Sequence, residues 1–396
     1  MSSEAVLRRL ALLSWIWAIR ATFAVASRSK IRPRIVLATA HSAAIRGNLA
    51  AIQDEIERRG LDVAIVHLIH NARPGWRGRG LGAIRGLRAA YLLATSALFV
   101  VDSHFMPIYV VRRRPGTTIV QTWHACAAIK RIGYSVLDKT FGTDEALTSL
   151  VPIHTNYSLC LAASKAAAAQ YVDAFRQPAE LFVTDMGIPG TDVLLRPGEE
   201  RLVEAIRSRY SIPPDMRAIL YAPTFRGDSL TRARHPETLD LDRLAEALGE
   251  DHVLLLRLHP AVRAGLSGKS AAPGFVFDVS DYPEVNELML ASDVLVTDYS
   301  SVAFEFALLG RPMAFFAPDI REYDHERGFY FDYRSGMPGP IFETTEALAE
   351  YLRAGAFDLD RVRAFAETWF EVADGHASER FVDRIVLPAL AGERVH

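Results

Sequence analysis

The chain has 396 residues and a net charge of −2, with half of its residues apolar and 23% charged. It is too long for one ordinary domain, apolar enough to bury two cores, and unlike a disordered segment in composition. Near-neutral charge excludes a surface coated for nucleic acid; the two cysteines, Cys126 and Cys160, exclude a disulfide framework or a Cys-rich zinc site and imply a reducing, cytoplasmic setting.

Residues 1–30 come first, with an apolar run at 10–19 between Arg9 and Arg20. Ten residues fall short of the roughly 20 that cross a hydrocarbon core. Ala24-Val25-Ala26 has the form of a signal-peptidase site. Trp15 and Trp17 between arginines suit an amphipathic helix lying in the head-group plane better. Charge agrees: residues 1–150 carry 21 Lys/Arg against 9 Asp/Glu, and the remainder 24 against 38. Arg73, Arg77, Arg79, Arg85, Arg88 and Arg112–Arg114 extend the basic character of the first half. A solvated Arg-rich face is the plain reading, and an anionic membrane surface is the functional one. No nucleic acid is expected, since the aromatic interleaving of a single-strand binder is missing.

Short apolar runs at 34–38, 62–68, 97–102, 117–121, 158–163 and 181–185 read as buried parallel strands, with helices at 42–59, 82–94 and 165–175. A second series has strands at 218–221, 253–258, 275–278, 293–297 and 313–316, and helices at 239–248, 284–290, 302–309 and 346–353. Helices at 360–371 and 377–391 close the chain. Two blocks of strand–helix alternation predict an α/β fold of two Rossmann-like, doubly wound domains. The break falls in the Pro/Gly-rich stretch 188–200, so the expected domains are 31–190 and 191–396, the second taking the closing helices. Ligands of such folds sit at the carboxyl ends of the strands, in the cleft between the domains.

The polar residues that follow the strands carry the chemistry. Thr297-Asp298-Tyr299-Ser300-Ser301 leaves a buried strand and opens a helix, where free N–H groups favour phosphate. A plain N-cap at Ser301 is the bland alternative. Arg257-Leu258-His259-Pro260 ends another strand, and period-two geometry puts the guanidinium and imidazole on one face, suited to a diphosphate. Thr224 and Arg226 follow the first strand of the second block within Tyr221-Ala-Pro-Thr-Phe-Arg226. Gln121-Thr-Trp123-His124, followed by Lys130 and Arg131, leaves a strand of the first domain, and His124 can take a proton from an attacking hydroxyl. Segment 319–332 is too polar for a core element and reads as a charged loop, from which Arg321 or Arg327 could close on a phosphate. There is no His-Glu-x-x-His, Asp-x-Asp, P-loop or Gly-x-Gly-x-x-Gly, so no metal or cofactor is expected.

In combination, Gln-Thr-Trp-His124-Ala with Lys130, Gly187-Ile-Pro-Gly-Thr-Asp192, Tyr-Ala-Pro-Thr-Phe-Arg226, Arg257-Leu-His-Pro260, Thr297-Asp-Tyr-Ser-Ser301 and Arg327-Gly-Phe resemble the CDP-glycerol glycerophosphotransferases of wall teichoic acid synthesis, the compact primase branch more than the larger polymerases. Ala125 and Gly190 depart from the polymerase pattern, which commonly has Gly and Arg there. The resemblance implies a glycosyltransferase-B-like pair of domains. It also implies transfer of glycerol phosphate from CDP-glycerol to a hydroxyl of a lipid-linked (undecaprenyl diphosphate) saccharide, at the cytoplasmic face of the membrane. Carried onto this chain, His124 and His259 are the catalytic residues. Thr224, Arg226, Arg257, Thr297, Asp298, Ser300, Ser301 and Arg327 bind the donor, and Trp123 and Lys130 face the acceptor. Closure by domain rotation would exclude water. A ribitol-phosphate transferase, a capsule polymer synthase or sugar-nucleotide glycosyltransferase of the same fold, and a non-catalytic lipid- or polymer-binding module are the alternatives.

Overall fold

The structure, a computed structural model, describes residues 3–70, 75–137, 148, 150–226, 238–258, 262, 272–393 and 395. His259 and Pro260 lie outside the described residues, as do Arg73 and the side chains of Arg77 and Arg79.

Two six-stranded parallel sheets organise the chain. The first contains β1 (Arg32–Thr39), β2 (Ala64–Ile69), β3 (Ser96–Val101), β4 (Thr118–Gln121), β5 (Leu159–Leu161) and β6 (Phe182–Val183), in the order β2-β1-β3-β4-β5-β6. The second contains β7 (Arg217–Ala222), β8 (His252–Leu256), β9 (Val276–Asp278), β10 (Val294–Thr297), β11 (Met313–Phe316) and β12 (Ile341–Phe342), in the order β12-β11-β10-β7-β8-β9. Each order reverses once, between β1 and β3 and between β7 and β10. Loops leave in opposite directions at such a point and open a crevice. Strands such as β3, β8 and β11 are buried along their whole length because helices cover both sheet faces.

All eleven expected strands form. The twelfth, β12, is two half-buried residues long and has no apolar run to announce it. Segment 319–332 holds a helix, Ile320–Arg327, rather than a loop. Only Ile320 and Tyr323 of that helix are buried, so one contact face three residues apart is hidden among six polar side chains.

Helix α1 (Ser3–Ala26) runs 24 residues, beyond the short apolar run. Ile16 and Ile19 are buried, and α1 packs along α3 (Gly75–Thr95). The indole of Trp15 lies over Gly86 of α3, where a Cβ would meet it at 2.8 Å. Trp17 points away and is 73% exposed. Positions two apart on a helix face opposite sides, so the two tryptophans cannot share an interface. Within α1, Arg9–Ala26 has a mean hydropathy of 1.3 and is long and apolar enough to cross a membrane by length and composition.

The closing residues 377–391 return to the first sheet and pack on β1, β3 and α2 (Asn48–Arg58). The Asp192 carboxylate receives the N–H groups of Ala377 (2.9 Å) and Ser378 (2.8 Å) at their start. A π-turn at Val382–Val386 precedes Pro388, which has no N–H for the helical ladder.

One apolar cluster runs through both sheets, including Val36 and Phe99 of the first and Leu220 and Leu295 of the second. The alternate residues Ile219, Tyr221, Leu254 and Val296 form a second core on the far face. Polar contacts also join the halves. Arg46 donates to the Pro283 carbonyl (2.8 Å), the Gly47 N–H to Glu284 (3.2 Å), and Asn286 to the Gly190 carbonyl (2.7 Å); within the first half the Gly190 N–H donates to Asn48 (2.8 Å). A Cβ on Gly190 would meet Asn48 Oδ1 at 2.8 Å. Rotation of one half against the other would have to break this seam.

Candidate active site

At the carboxyl edge of the first sheet, β4 delivers Gln121-Thr-Trp-His124. Gln121 is fully buried and locks the turn: its amide donates to Tyr157 Oη (3.0 Å) and the Ser103 carbonyl (3.1 Å), and its oxygen accepts the Trp123 N–H (2.8 Å). Trp123 takes φ +53°, a left-handed turn that swings His124 outward.

His124 Nδ1 faces the Asp102 carbonyl at 2.9 Å. A carbonyl only accepts, so Nδ1 carries the proton and Nε2 keeps its lone pair. The ring stacks on His41 (centroids 3.9 Å apart, planes 10° apart) and on Trp123 (4.7 Å, 28°). One edge of His124 remains open to the cleft. Desolvation by the rings stacked on it, with the neighbouring His41 and Lys130, holds its pKa below the ordinary histidine value, so the imidazole is neutral at pH 7. Beneath it the Asp102 carboxyl is pushed up to about 6 by burial, and its Oδ1 has no hydrogen-bond partner among the described residues.

At the carboxyl edge of the second sheet lies an ionic lattice. Arg226 grips Asp319 with two hydrogen bonds (Nε–Oδ2 2.6 Å, Nη2–Oδ1 3.0 Å) and Asp298 with a third (Nη1–Oδ2 2.9 Å). Its guanidinium lies 5.1 Å from the ring centres of both Tyr299 and Tyr323. Asp298 also accepts the N–H of Thr224 (2.8 Å) and of Tyr299 (2.6 Å). Tyr299 Oη donates to Asp319 and Tyr333 Oη to the Asp298 carbonyl.

Expected to touch the donor, Thr297, Asp298 and Arg226 are directed into the protein instead. Thr297 Oγ1 donates to the Ala222 carbonyl (2.7 Å), and the Asp298 and Arg226 charges neutralise each other. These residues build the floor of the site. The other residues expected to bind the donor are placed differently. Ser300 and Ser301 are half-exposed at the start of the helix Val302–Ala307, and Ser301 makes no capping bond with its side chain. Thr224 Oγ1 and Tyr323 Oη are buried without a hydrogen-bond partner among the described residues. Arg327 lies over Tyr323 (5.4 Å) and Phe225 (5.6 Å), facing the site, while Arg321 is exposed on the same helix. Arg257 donates to the Ser280 carbonyl, and its charge is felt by Glu284.

Lys130, expected on the acceptor side, belongs to both halves. Its backbone pairs with Phe329 in an antiparallel bridge, flanked by Arg131 N–H to the Gly328 carbonyl and Tyr330 N–H to the Ile129 carbonyl, each 3.0 Å. Burial, with the nearby cations Arg327 and Arg226, pushes the Lys130 ammonium down to about 8. Glu305, on the helix that Ser300 and Ser301 open, accepts the N–H of Cys126 (3.2 Å), so the His124 loop and the serine turn are tied together. Among the described residues, no group of three or more His, Cys, Asp or Glu is arranged to hold a metal ion.

Sequence reasoning missed His41, Asp102, Glu305 and Asp319. His41 and Asp102 directly follow β1 and β3, so the strand-order reversal would have flagged them once the order was known. Asp319 opens the polar segment 319–332 and Glu305 lies in the expected helix 302–309, but only a partner brought from elsewhere in the chain reveals their roles.

The sequence profile of a family described as CDP-glycerol:poly(glycerophosphate) glycerophosphotransferase matches residues 21–387. The chain is 34% identical over 355 residues to the teichoic acid ribitol-phosphate primase of Bacillus spizizenii, covering 89% of this chain and 90% of that one. It is 36% identical over 301 residues to the teichoic acid poly(ribitol-phosphate) polymerase of the same organism, covering 76% of this chain and 48% of that one. Among solved structures, the wall teichoic acid polymerase TagF superposes with a TM-score of 0.78 at 25% identity, over 97% of this chain and 96% of that one. The expected fold is confirmed by that likeness, and the chain belongs to the CDP-glycerol:poly(glycerophosphate) glycerophosphotransferase family, the phosphate-group transferases of teichoic acid synthesis.

Proposed function

We propose that this protein transfers a polyol phosphate from a CDP-linked polyol to a hydroxyl of a lipid-linked saccharide, releasing CMP, in the synthesis of teichoic acid or a related surface polymer. The observation that carries the reading is the neutral His124, with Nδ1 bonded to a carbonyl and Nε2 open, on a loop tied to the phosphate-binding turn. The acceptor hydroxyl gives its proton to Nε2 as its oxygen bonds to the β-phosphorus. The bond from that phosphorus to the bridging oxygen breaks, and CMP leaves with the electron pair. Ser300, Ser301 and the Thr224 hydroxyl, which has no partner among the described residues, hold phosphate oxygens, while Lys130 and Arg327 counter the negative charge. On sequence grounds His259 and Arg257 serve the same diphosphate.

CDP-glycerol is the donor the family description favours, and CDP-ribitol is favoured by the relative matched over nearly its whole length. That relative is a primase, which supports a single addition rather than polymerisation. The protein acts at the cytoplasmic face of the membrane, where the exposed Leu10, Leu13, Trp17 and Val25 of α1 and Ile84 of α3 meet lipid and the surrounding arginines meet anionic head groups. A donor screen tests the reading. With a lipid-linked disaccharide, CDP-glycerol or CDP-ribitol yields a product heavier by one phosphopolyol, together with CMP. Sugar transfer from a UDP-sugar with both CDP-polyols inert contradicts it.

A further inference from the structure

His41 has no part in the proposed reaction, yet its ring stacks on one face of His124. The two rings are nearly parallel, 10° apart, with centroids 3.9 Å apart, which is face-to-face van der Waals contact. Its backbone is fixed just past β1, where Thr39 Oγ1 accepts the N–H of both His41 and Ser42 at 3.2 Å. Trp123 covers the opposite face of His124 and is held in turn by Phe175, edge-on at 5.3 Å, and by Gln121.

An imidazole on a Cβ has two soft torsions. The hydrogen bond from Nδ1 to the Asp102 carbonyl fixes where one edge of the ring points, but a single bond is a pivot about which the ring can still tip. Trp123 blocks tipping in one direction only. His41 blocks the other. Without it, one face of His124 borders open cleft, Nδ1 can leave the carbonyl, and the tautomer with an open Nε2 lone pair is no longer enforced.

We propose that His41 is a positioning residue that clamps His124 against Trp123, holding Nε2 toward the acceptor hydroxyl. The proposal rests on the reading of His124 as the base and adds what keeps that base aimed. Burial holds the His41 pKa below the ordinary histidine value, so both rings are neutral at pH 7 and no charge repulsion separates them.

The test compares His41→Ala, His41→Phe and His124→Ala in the full chain, with CDP-glycerol and CDP-ribitol in parallel, together with 15N-histidine NMR of the wild type and both His41 variants. A displaced base costs rate rather than binding, so His41→Ala lowers kcat at least about tenfold with KM for either substrate within about twofold. Phenylalanine restores the flat surface, and His41→Phe recovers most of the lost kcat. In the NMR spectrum His124 shows a protonated Nδ1 and bare Nε2 in the wild type and His41→Phe, and an averaged tautomer in His41→Ala. The proposal is overturned if His41→Ala turns over like wild type while His124→Ala is dead. It is equally overturned if His41→Phe is as slow as His41→Ala, since the second imidazole then acts in the chemistry itself, or if KM rises instead of kcat falling. A fully active His124→Ala removes the underlying reading instead, and the NMR comparison still decides whether His41 sets the tautomer of His124.

Discussion

The reversal of strand order in the first sheet is lined with rings, and that in the second sheet with ions. After β1 and β4 the chain places His41, Trp123 and His124 in a stack with one hydrogen bond to a carbonyl and one edge open to the cleft. After β7 and β10 it places Arg226 between Asp298 and Asp319, roofed by tyrosines, with four of the five N–H groups of the guanidinium directed at the protein. The same topological position has opposite physics. Neutral rings can be crowded together without charging, which keeps a proton acceptor bare at neutral pH. A charged lattice is rigid, so the groups perched on it, Thr224, Ser300, Ser301 and Arg327, are held ready for the phosphate proposed there.

The comparison predicts different failures on the two sides. On the ring side, chemistry fails and the fold survives. His124→Ala lowers kcat by about 10²–10⁴-fold, with an unfolding midpoint close to that of the wild type by circular dichroism. A rate within a few-fold of wild type removes His124 from the reaction. On the ionic side the fold fails first. Arg226→Met leaves Asp298 and Asp319, both turned toward the lost guanidinium, without their counter-charge. Breaking such a buried pair costs about 3–5 kcal/mol, read by urea unfolding. A loss under about 1 kcal/mol would mean that the lattice is screened like a surface pair.

A gentler contrast separates the two faces of α1. Because Ile16 and Ile19 are buried against α3, deleting the helix would open the core, and surface substitutions give the cleaner test. The double variant Leu10→Ser, Trp17→Ser keeps the fold and weakens binding to anionic vesicles by roughly tenfold or more, from the apolar area lost. Unchanged vesicle binding would move the membrane contact elsewhere on the basic half.

The smallest effect sharpens the account of the rings. His154 is buried at 2% exposure, stacked on Phe175 at 3.9 Å, and desolvation holds its pKa well below the usual value. Below about pH 6.5 the unfolded chain protonates this histidine while the folded chain does not. The unfolded state then binds more protons, so this group lowers stability as pH falls. Asp102, pushed up to about 6, works in the opposite sense, gaining stability as pH falls from about 6 towards 4. The difference between wild type and His154→Asn isolates the histidine, since asparagine tolerates its φ of +57° and does not titrate. The variant is less stable overall, and its unfolding midpoint falls less steeply between pH 7 and pH 5. Parallel slopes would show that His154 does not carry this pH dependence.

Much of the fold was legible because parallel strands covered on both faces become continuous apolar runs; 313–316 is read to the residue. Helix 165–175 is likewise bounded by Ser164, whose side chain accepts the Ala167 N–H, and by Arg176 in the left-handed region. The illegible parts share one cause: their partners are distant in sequence. Ile320–Arg327 is a helix because Ile320 and Tyr323 find a core that no local pattern reveals. Residues 377–391 belong beside β1 and β3, far earlier in the chain. For the site, the motif residues were visible as motifs, but which of them face a ligand and which hold the floor was not. Thr297 and Asp298 differ from Ser300 and Ser301 only in where their partners lie. Trp123 and His124 were found by their place after a strand, while His41, equally placed, lacked a neighbouring motif.

In the proposed reaction one nucleotide diphosphate is held by the serine turn of the second sheet while the imidazole of the first approaches it. A crystal structure of the His124→Gln variant with CDP-glycerol tests this directly. The diphosphate is expected against Ser300, Ser301 and Thr224, with the β-phosphorus on the side of residue 124 and Lys130 and Arg327 beside it. A nucleotide bound elsewhere, or bound at the serine turn with its polyol phosphate directed away from residue 124, would contradict it.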